Sequence, residues 1–310
     1  MYNIKFHLIL SLIAFFFIGG VAQESYTKYE TGSNQDVVTQ PQGGVCMMGG
    51  STESDDAMRW FLERADGGDV LVIRASGSDG YNEYLHSELG VSINSVTTIV
   101  FQEAVAAEET YVQDKIKQAE AIWIAGGDQW KYVQYWRHTS VASLINEALA
   151  SRNIVVGGTS AGMAILGGFY FTAQNGTIRS EDALNNPYDD RITLDSTSFI
   201  ANNYLKNVLT DTHYDDPDRS GRHTAFLARV LVDYGVVARG IACEEYTAVC
   251  IDENGIARVF GGYPTYDDFA YFIQPNCQMN SPLPESCRPD EQLTWNLEET
   301  ALQVYKIAGT

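Results

Sequence analysis

The residues best suited to chemistry are Gly158, Thr159, Ser160, Ala161 and Gly162, set between an apolar run at 154–156 and an apolar segment that begins near Met163. Strand, tight turn and helix in that order form a nucleophile elbow, in which a serine on a strained turn needs small neighbours. Its Oγ then projects above the sheet, and the N–H of the next residue, Ala161, faces a developing oxyanion. A serine nucleophile needs a base. Of the five histidines, His7 falls in the N-terminal apolar segment, His86 and His138 fall in helical stretches, and His223 opens a long helix. His213 follows Val208, Leu209, Thr210, Asp211 and Thr212, as at the end of a strand, and precedes the charged loop 215–222, so it is the candidate base.

The orienting acid is not isolated by spacing, because Asp and Glu together number forty. Glu181 and Asp182, between Ser160 and His213, are both candidates for holding the imidazole. A second oxyanion donor should come from a neighbouring strand-end loop, and Gly126, Gly127, Asp128, Gln129 supplies one, with Gly127 the donor. None of the cysteines Cys46, Cys243, Cys250, Cys277 and Cys287 shows C-x-x-C or Cys/His ligand spacing, so no metal and no cofactor is implied.

Short apolar runs at 45–48, 70–73, 98–101, 122–125 and 154–156 alternate with segments of helical period at 54–64, 109–119 and 141–150. Such alternation predicts an α/β fold, a doubly wound and mostly parallel sheet with helices on both faces. Sites in these sheets gather at the carboxyl ends of the strands, where the pairs Gly49–Gly50, Gly126–Gly127 and Gly157–Gly158 follow the runs. Farther on, the stretch 171–191 reads as an excursion from the sheet, 223–234 as a helix, and 247–251 with 256–260 as a β-hairpin around Glu253, Asn254 and Gly255.

Lys5 followed by the apolar run 8–18 and then Gly20 and Ala22 has the shape of a secretory signal peptide cut after Ala22. The expected organisation is a signal peptide at 1–22, a flexible polar lead-in at 23–43 and one domain at 44–310, secreted or periplasmic. No later segment reads as membrane-spanning. In an exported chain Cys277 and Cys287 could close a disulfide, while Cys46, inside an apolar run, reads as a buried thiol. A net charge of −20 repels phosphate backbones and anionic membranes, which argues against nucleic-acid binding.

These residues resemble the cyanophycinase and peptidase E family of serine peptidases, whose fold is that of class I glutamine amidotransferases with serine in place of cysteine at the elbow. Gly126 to Gln129 resembles that family's Gly-Gly-Asp-Gln turn, residues 158–162 its Gly-Thr-Ser-Ala-Gly elbow, and residues 211–214 with Arg219, Gly221 and Arg222 its Asp-Gln-His-Phe segment and following arginines. The resemblance runs from about Gly44 to Gly261. It implies Ser160 as nucleophile, His213 as base, Glu181 or Asp182 as acid, and Gly127 and Ala161 as oxyanion donors. It also implies that Gln129, Asp211, Arg219 and Arg222 line a pocket for a peptide substrate, and it leaves a homodimer open. Thr212 stands where cyanophycinases carry glutamine, and Pro217 where the first arginine of their loop is expected. Those departures point to an aspartyl or isoaspartyl peptide rather than the β-linked Asp-Arg polymer. The competing readings are a non-catalytic peptide-binding protein on the same fold and an α/β-hydrolase esterase. The latter shares the elbow but lacks a His-Gly-Gly-Gly motif here.

Overall fold

The computed structural model describes residues 24–196, 199–215, 217–276, 278 and 281–310. The signal segment and Cys277, and with it the Cys277–Cys287 pairing, lie outside the described residues.

The first half of the chain builds the main sheet. Strands β1 (Tyr26–Gly32), β2 (Val45–Met48), β3 (Asp69–Arg74), β4 (Ser95–Phe101), β5 (Ala121–Ile124) and β6 (Val155–Thr159) are joined through helices α1 (Asp55–Glu63), α2 (Thr110–Gln118), α3 (Gln129–Trp136) and α4 (Ser140–Ser151). A short helix α5 (Ala161–Ala164) leaves β6, and β7 (Tyr170–Phe171), α6 (Ser180–Asn185) and β8 (Leu194–Asp195) form the excursion. Then come β9 (Val208–Asp211), α7 (Ser220–Tyr234), β10 (Arg239–Cys243), β11 (Ala248–Ile251), β12 (Ala257–Phe260), β13 (Phe269–Pro275) and β14 (Leu302–Ala308).

The main sheet runs β1-β4-β3-β5-β6-β2-β11-β12, with β4, β3, β5, β6 and β2 parallel, β1 antiparallel to β4, β11 antiparallel to β2, and β12 antiparallel to β11. Both its faces are covered, and the period of two along the strands shows it. On β3, Leu71 and Ile73 pack into one apolar cluster while Val70 and Val72 pack into another. On β5, Ile122 and Ile124 divide in the same way from Ala121 and Trp123. Continuous apolar runs are what a strand buried on two faces requires. The helices obey local rules as well: the Asp128 side chain accepts from Trp130 N–H at 3.0 Å to start α3, and Gly235 takes a left-handed conformation to end α7.

A second sheet, β14-β13-β10-β9, carries the parallel pair β9 and β10 and the antiparallel strands β13 and β14. The predicted hairpin is β11 and β12, whose inner strand joins the main sheet beside β2.

The lead-in differs from expectation. Residues 26–32 form the edge strand β1, paired in register along the whole of β4, from Tyr26 opposite Phe101 to Gly32 opposite Ser95. Its Tyr and Thr residues suit a pleated, half-exposed surface, and an edge strand needs no continuous apolar run to be stable there.

Candidate active site

The carboxyl ends of β2, β5, β6, β9 and β10 converge, and each contributes one part of the site. At the end of β6, Ser160 has φ 52° and ψ −118°, a conformation that a non-glycine residue adopts only where its surroundings enforce it. Those surroundings are close: a Cβ at Gly162 would fall 2.0 Å from the Ile124 carbonyl oxygen, and one at Gly158 would fall 2.7 Å from the backbone of Gly162. Only glycine at both positions lets the turn pack onto β5. The Ser160 N–H donates to Met48 O at 3.0 Å, which ties the elbow to β2. Ala161 is the first residue of α5, so its N–H has no acceptor within the helix.

Beyond β9, His213 has φ 45° and its N–H donates to Gly49 O at 2.9 Å. Its Nε2 lies 2.8 Å from Ser160 Oγ, and its Nδ1 lies 2.5 Å from Glu245 Oε1. An ionised carboxylate can only accept, so Nδ1 carries the proton and Nε2 presents its lone pair to the serine hydroxyl. The imidazole lies over Gly50, where a Cβ would come 2.3 Å from the ring. Gly50 has φ +131°, so both its space and its backbone exclude a side chain.

Glu245 corrects the expected acid. It stands in the turn between β10 and β11, and because β10 pairs in parallel with β9, the two strand ends bring it to His213. Asp182 instead pairs with Arg191 at 3.1 Å, and Glu181 is exposed on α6. The order along the chain is therefore Ser, His, Glu. Spacing between Ser160 and His213 carried no information about it, since the acid follows both. The usable signal was the position of Glu245 at the end of the strand next to β9.

The implied pocket residues divide. Asp211 and Arg222 are both buried and face each other: Arg222 Nε donates to Asp211 Oδ2 at 2.9 Å, and Arg222 Nη2 donates to Asp211 Oδ1. Arg222 Nη1 also donates to Thr177 Oγ1 at 3.1 Å. Burial alone would raise the Asp211 carboxyl, yet the Arg222 guanidinium holds it below the usual range. This is a structural ion pair that joins β9, α7 and the excursion, and it corrects the expectation that either residue meets substrate. Arg219 is half-buried, donates to Thr212 O at 3.0 Å, and makes no ion pair with a described residue. Burial, with Arg222 nearby, pushes its guanidinium down to about 10. Gln129 donates to Phe171 O at 2.8 Å.

Gly126 and Gly127 lie against the elbow, a Cβ at Gly126 falling 3.5 Å from Ser160 Cβ. At Gly127 a Cβ would fall 2.6 Å from Tyr132 Oη. Next to this loop is a cavity of about 430 Å³ lined by Gly127, Gln129, Trp130, Gln174 and Thr177. Beside Glu245 is another of about 810 Å³, lined by Glu53, Asp215, Tyr246, Tyr266 and Asp267. Serine, imidazole and carboxylate in hydrogen-bonded series, with a glycine loop at the serine, can generate an alkoxide-like nucleophile and shelter an oxyanion.

Residues 45–259 match Peptidase family S51. The cyanophycinases of Synechococcus elongatus and Thermosynechococcus vestitus are each 24% identical to the chain over 256 residues, covering 78% of it and 74% of each relative. The crystal structure of a peptidase from an acI-B1 Actinobacterium shares the fold with TM-score 0.52 at 16% identity, covering 72% of this chain and 89% of that one.

Proposed function

The chain belongs to peptidase family S51, a family of serine-type peptidases, and from that premise we propose that Ser160 is the nucleophile with which it cleaves aspartyl, isoaspartyl or β-aspartyl peptide bonds. The observation that carries the reading is the series Ser160 Oγ, His213 Nε2, His213 Nδ1 and Glu245 Oε1, with contacts of 2.8 and 2.5 Å.

In this reading Ser160 Oγ attacks the scissile carbonyl carbon as its proton passes to His213 Nε2. Negative charge collects on the carbonyl oxygen and is received by the N–H groups of Ala161 and Gly127. As the C–N bond breaks, His213 returns its proton to the leaving amine. Water then loses a proton to His213, attacks the Ser160 ester, and frees the acid product. Glu245 keeps the imidazole in the one tautomer that serves both halves and stabilises the imidazolium between them.

Support for the substrate class comes from the cyanophycinase relatives and from Arg219, a half-buried cation six residues from the base that forms no ion pair with a described residue. An arginine so placed suits a substrate carboxylate. Arg222, committed to Asp211, offers no second grip, and Thr212 and Pro217 offer no amide or guanidinium. The favoured substrate is therefore an aspartyl or isoaspartyl peptide other than the β-Asp-Arg polymer. The N-terminal segment supports action outside the cytoplasm.

The test is a panel of Asp-X, isoAsp-X and β-Asp-Arg peptides, with products read by mass spectrometry beside a Ser160→Ala variant. Cleavage at the aspartyl bond that the variant lacks is the expected result, whereas cleavage undiminished in the variant contradicts it. Export is checked by N-terminal sequencing of protein recovered outside the cytoplasm, expected to begin at Gln23.

A further inference from the structure

Two cysteines that the site does not use stand opposite each other. Cys46 on β2 and Cys250 on β11 are partners in the antiparallel register, 204 residues apart in sequence. The Gly49 N–H donates to Thr247 O at 2.9 Å, which marks that neighbouring pair as hydrogen-bonded. Hydrogen-bonded and non-hydrogen-bonded pairs alternate along an antiparallel ladder, so Cys46 and Cys250, three steps further in, are a non-hydrogen-bonded pair. In such pairs the Cα atoms approach to about 4.5 Å, inside the range that a disulfide spans. Their sulfurs are 3.4 Å apart, and neither residue has exposed surface. Cys243 does not compete, because its sulfur belongs to the cluster on the other face of β2 and points toward Met47 O at 3.7 Å.

We propose that Cys46 and Cys250 join as a cross-strand disulfide when the protein matures in an oxidising compartment. The compartment rests on the export proposed above; the pairing rests on strand register and contact. The oxidant is a disulfide, either a small molecule such as oxidised glutathione or a protein dithiol oxidant. One cysteine thiolate attacks it and expels a thiolate, giving a mixed disulfide. The second cysteine thiolate then attacks the first sulfur and expels the other thiolate. Two thiols are oxidised, one disulfide is reduced to two thiols, and the two protons go to the released sulfurs. Because both groups are sealed in the fold, exchange occurs before β11 closes on β2.

The bond would brace the site. β2 runs into Gly49 and Gly50, which accept the His213 N–H and seat its ring, and Tyr246 N–H, beside Glu245, donates to Gly50 O at 3.1 Å. A covalent tie between β2 and β11 holds the turn carrying Glu245 against the turn that seats His213.

The experiment unfolds the purified protein, refolds it in reduced and oxidised glutathione, alkylates it under denaturing conditions without reductant, and maps the digest by mass spectrometry. A linked pair of peptides holding Cys46 and Cys250, together with a Tm that falls by about 5 °C or more on reduction, is expected. That fall should be absent in the Cys46→Ala/Cys250→Ala variant. Alkylation of both cysteines, or linkage of either to Cys243, Cys277 or Cys287, would overturn the proposal. Since the refolding mixture supplies the oxidant, the result is independent of export.

Discussion

Asp211 and His213 lie two residues apart at the end of β9, and each meets a partner of complementary character, yet the two pairs differ in kind. Asp211 and Arg222 are 2% and 4% exposed, joined by two hydrogen bonds, and enclosed between β9, α7 and the excursion. The side chains of His213 and Glu245 keep 22% and 29% of their surface, and Glu245 lines a cavity with Glu53, Asp215 and Tyr246. A buried ion pair whose hydrogen bonds are spent on each other and on neighbouring protein groups, Thr177 among them, has little left to offer a substrate, and removing one member strands a charge. The imidazole has one nitrogen satisfied by Glu245 and the other facing a serine, so its capacity is directed outward. Charged residues near Ser160 thus divide by where their hydrogen bonds go, and sequence proximity does not make that division.

Five substitutions test this contrast, from the largest expected effect to the smallest. Ser160→Ala should lower kcat by about 10⁴-fold or more with little change in Tm, measured on the peptide that the panel identifies. Glu245→Gln should lower kcat by about 10²- to 10⁴-fold by releasing the tautomer and orientation of His213, again with little loss of stability. Asp211→Asn should do the opposite. It should cost about 3–5 kcal/mol in denaturant unfolding by leaving Arg222 buried without its anion, while kcat of the folded fraction changes by less than about threefold. Glu181→Gln and Asp182→Asn should each alter stability by less than about 0.5 kcal/mol and leave kcat within about twofold. A large kinetic defect in Asp211→Asn without destabilisation would dissolve the distinction between the two pairs.

The buried pair also fixes a direction for pH dependence. The Asp211 carboxyl is held below its ordinary value in the fold, so the unfolded chain takes up its proton first as pH falls. Its stabilising contribution is complete above about pH 4, the ordinary range of an unfolded aspartate, and declines as the pH drops through that range toward the folded value. Equilibrium unfolding of the wild type should show this acid-side loss, and Asp211→Asn should lack that part of the slope.

Much of this was legible in the residues because steric demands are local. The elbow announces itself through Gly158 and Gly162, which have no room for a Cβ, and the parallel strands through apolar runs that both faces bury. His213 was found by its place at a strand end. Glu245 was not, because it is one of forty acids and sits beside Glu244, which looks the same in sequence. Only the fold separates them: Glu244 is buried, accepting from Phe269 N–H and Tyr271 Oη at 2.8 and 2.6 Å, while Glu245 turns to the imidazole. Strand β1 was missed for the converse reason, since an edge strand with polar residues on both sides has no apolar period to read. The pairing of Asp211 with Arg222, eleven residues apart across a loop and a helix start, likewise depends on tertiary packing.

The central claim is that Glu245 holds a proton on His213 Nδ1 and thereby turns Nε2 toward Ser160. Proton NMR of the His213 ring reads this directly in the wild type, Glu245→Gln, Glu181→Gln and Asp182→Asn. The account predicts an Nδ1 proton far downfield of the amide envelope that persists in the two α6 variants and disappears or moves sharply upfield in Glu245→Gln. Persistence of that resonance in Glu245→Gln, or its loss in either α6 variant, would contradict it.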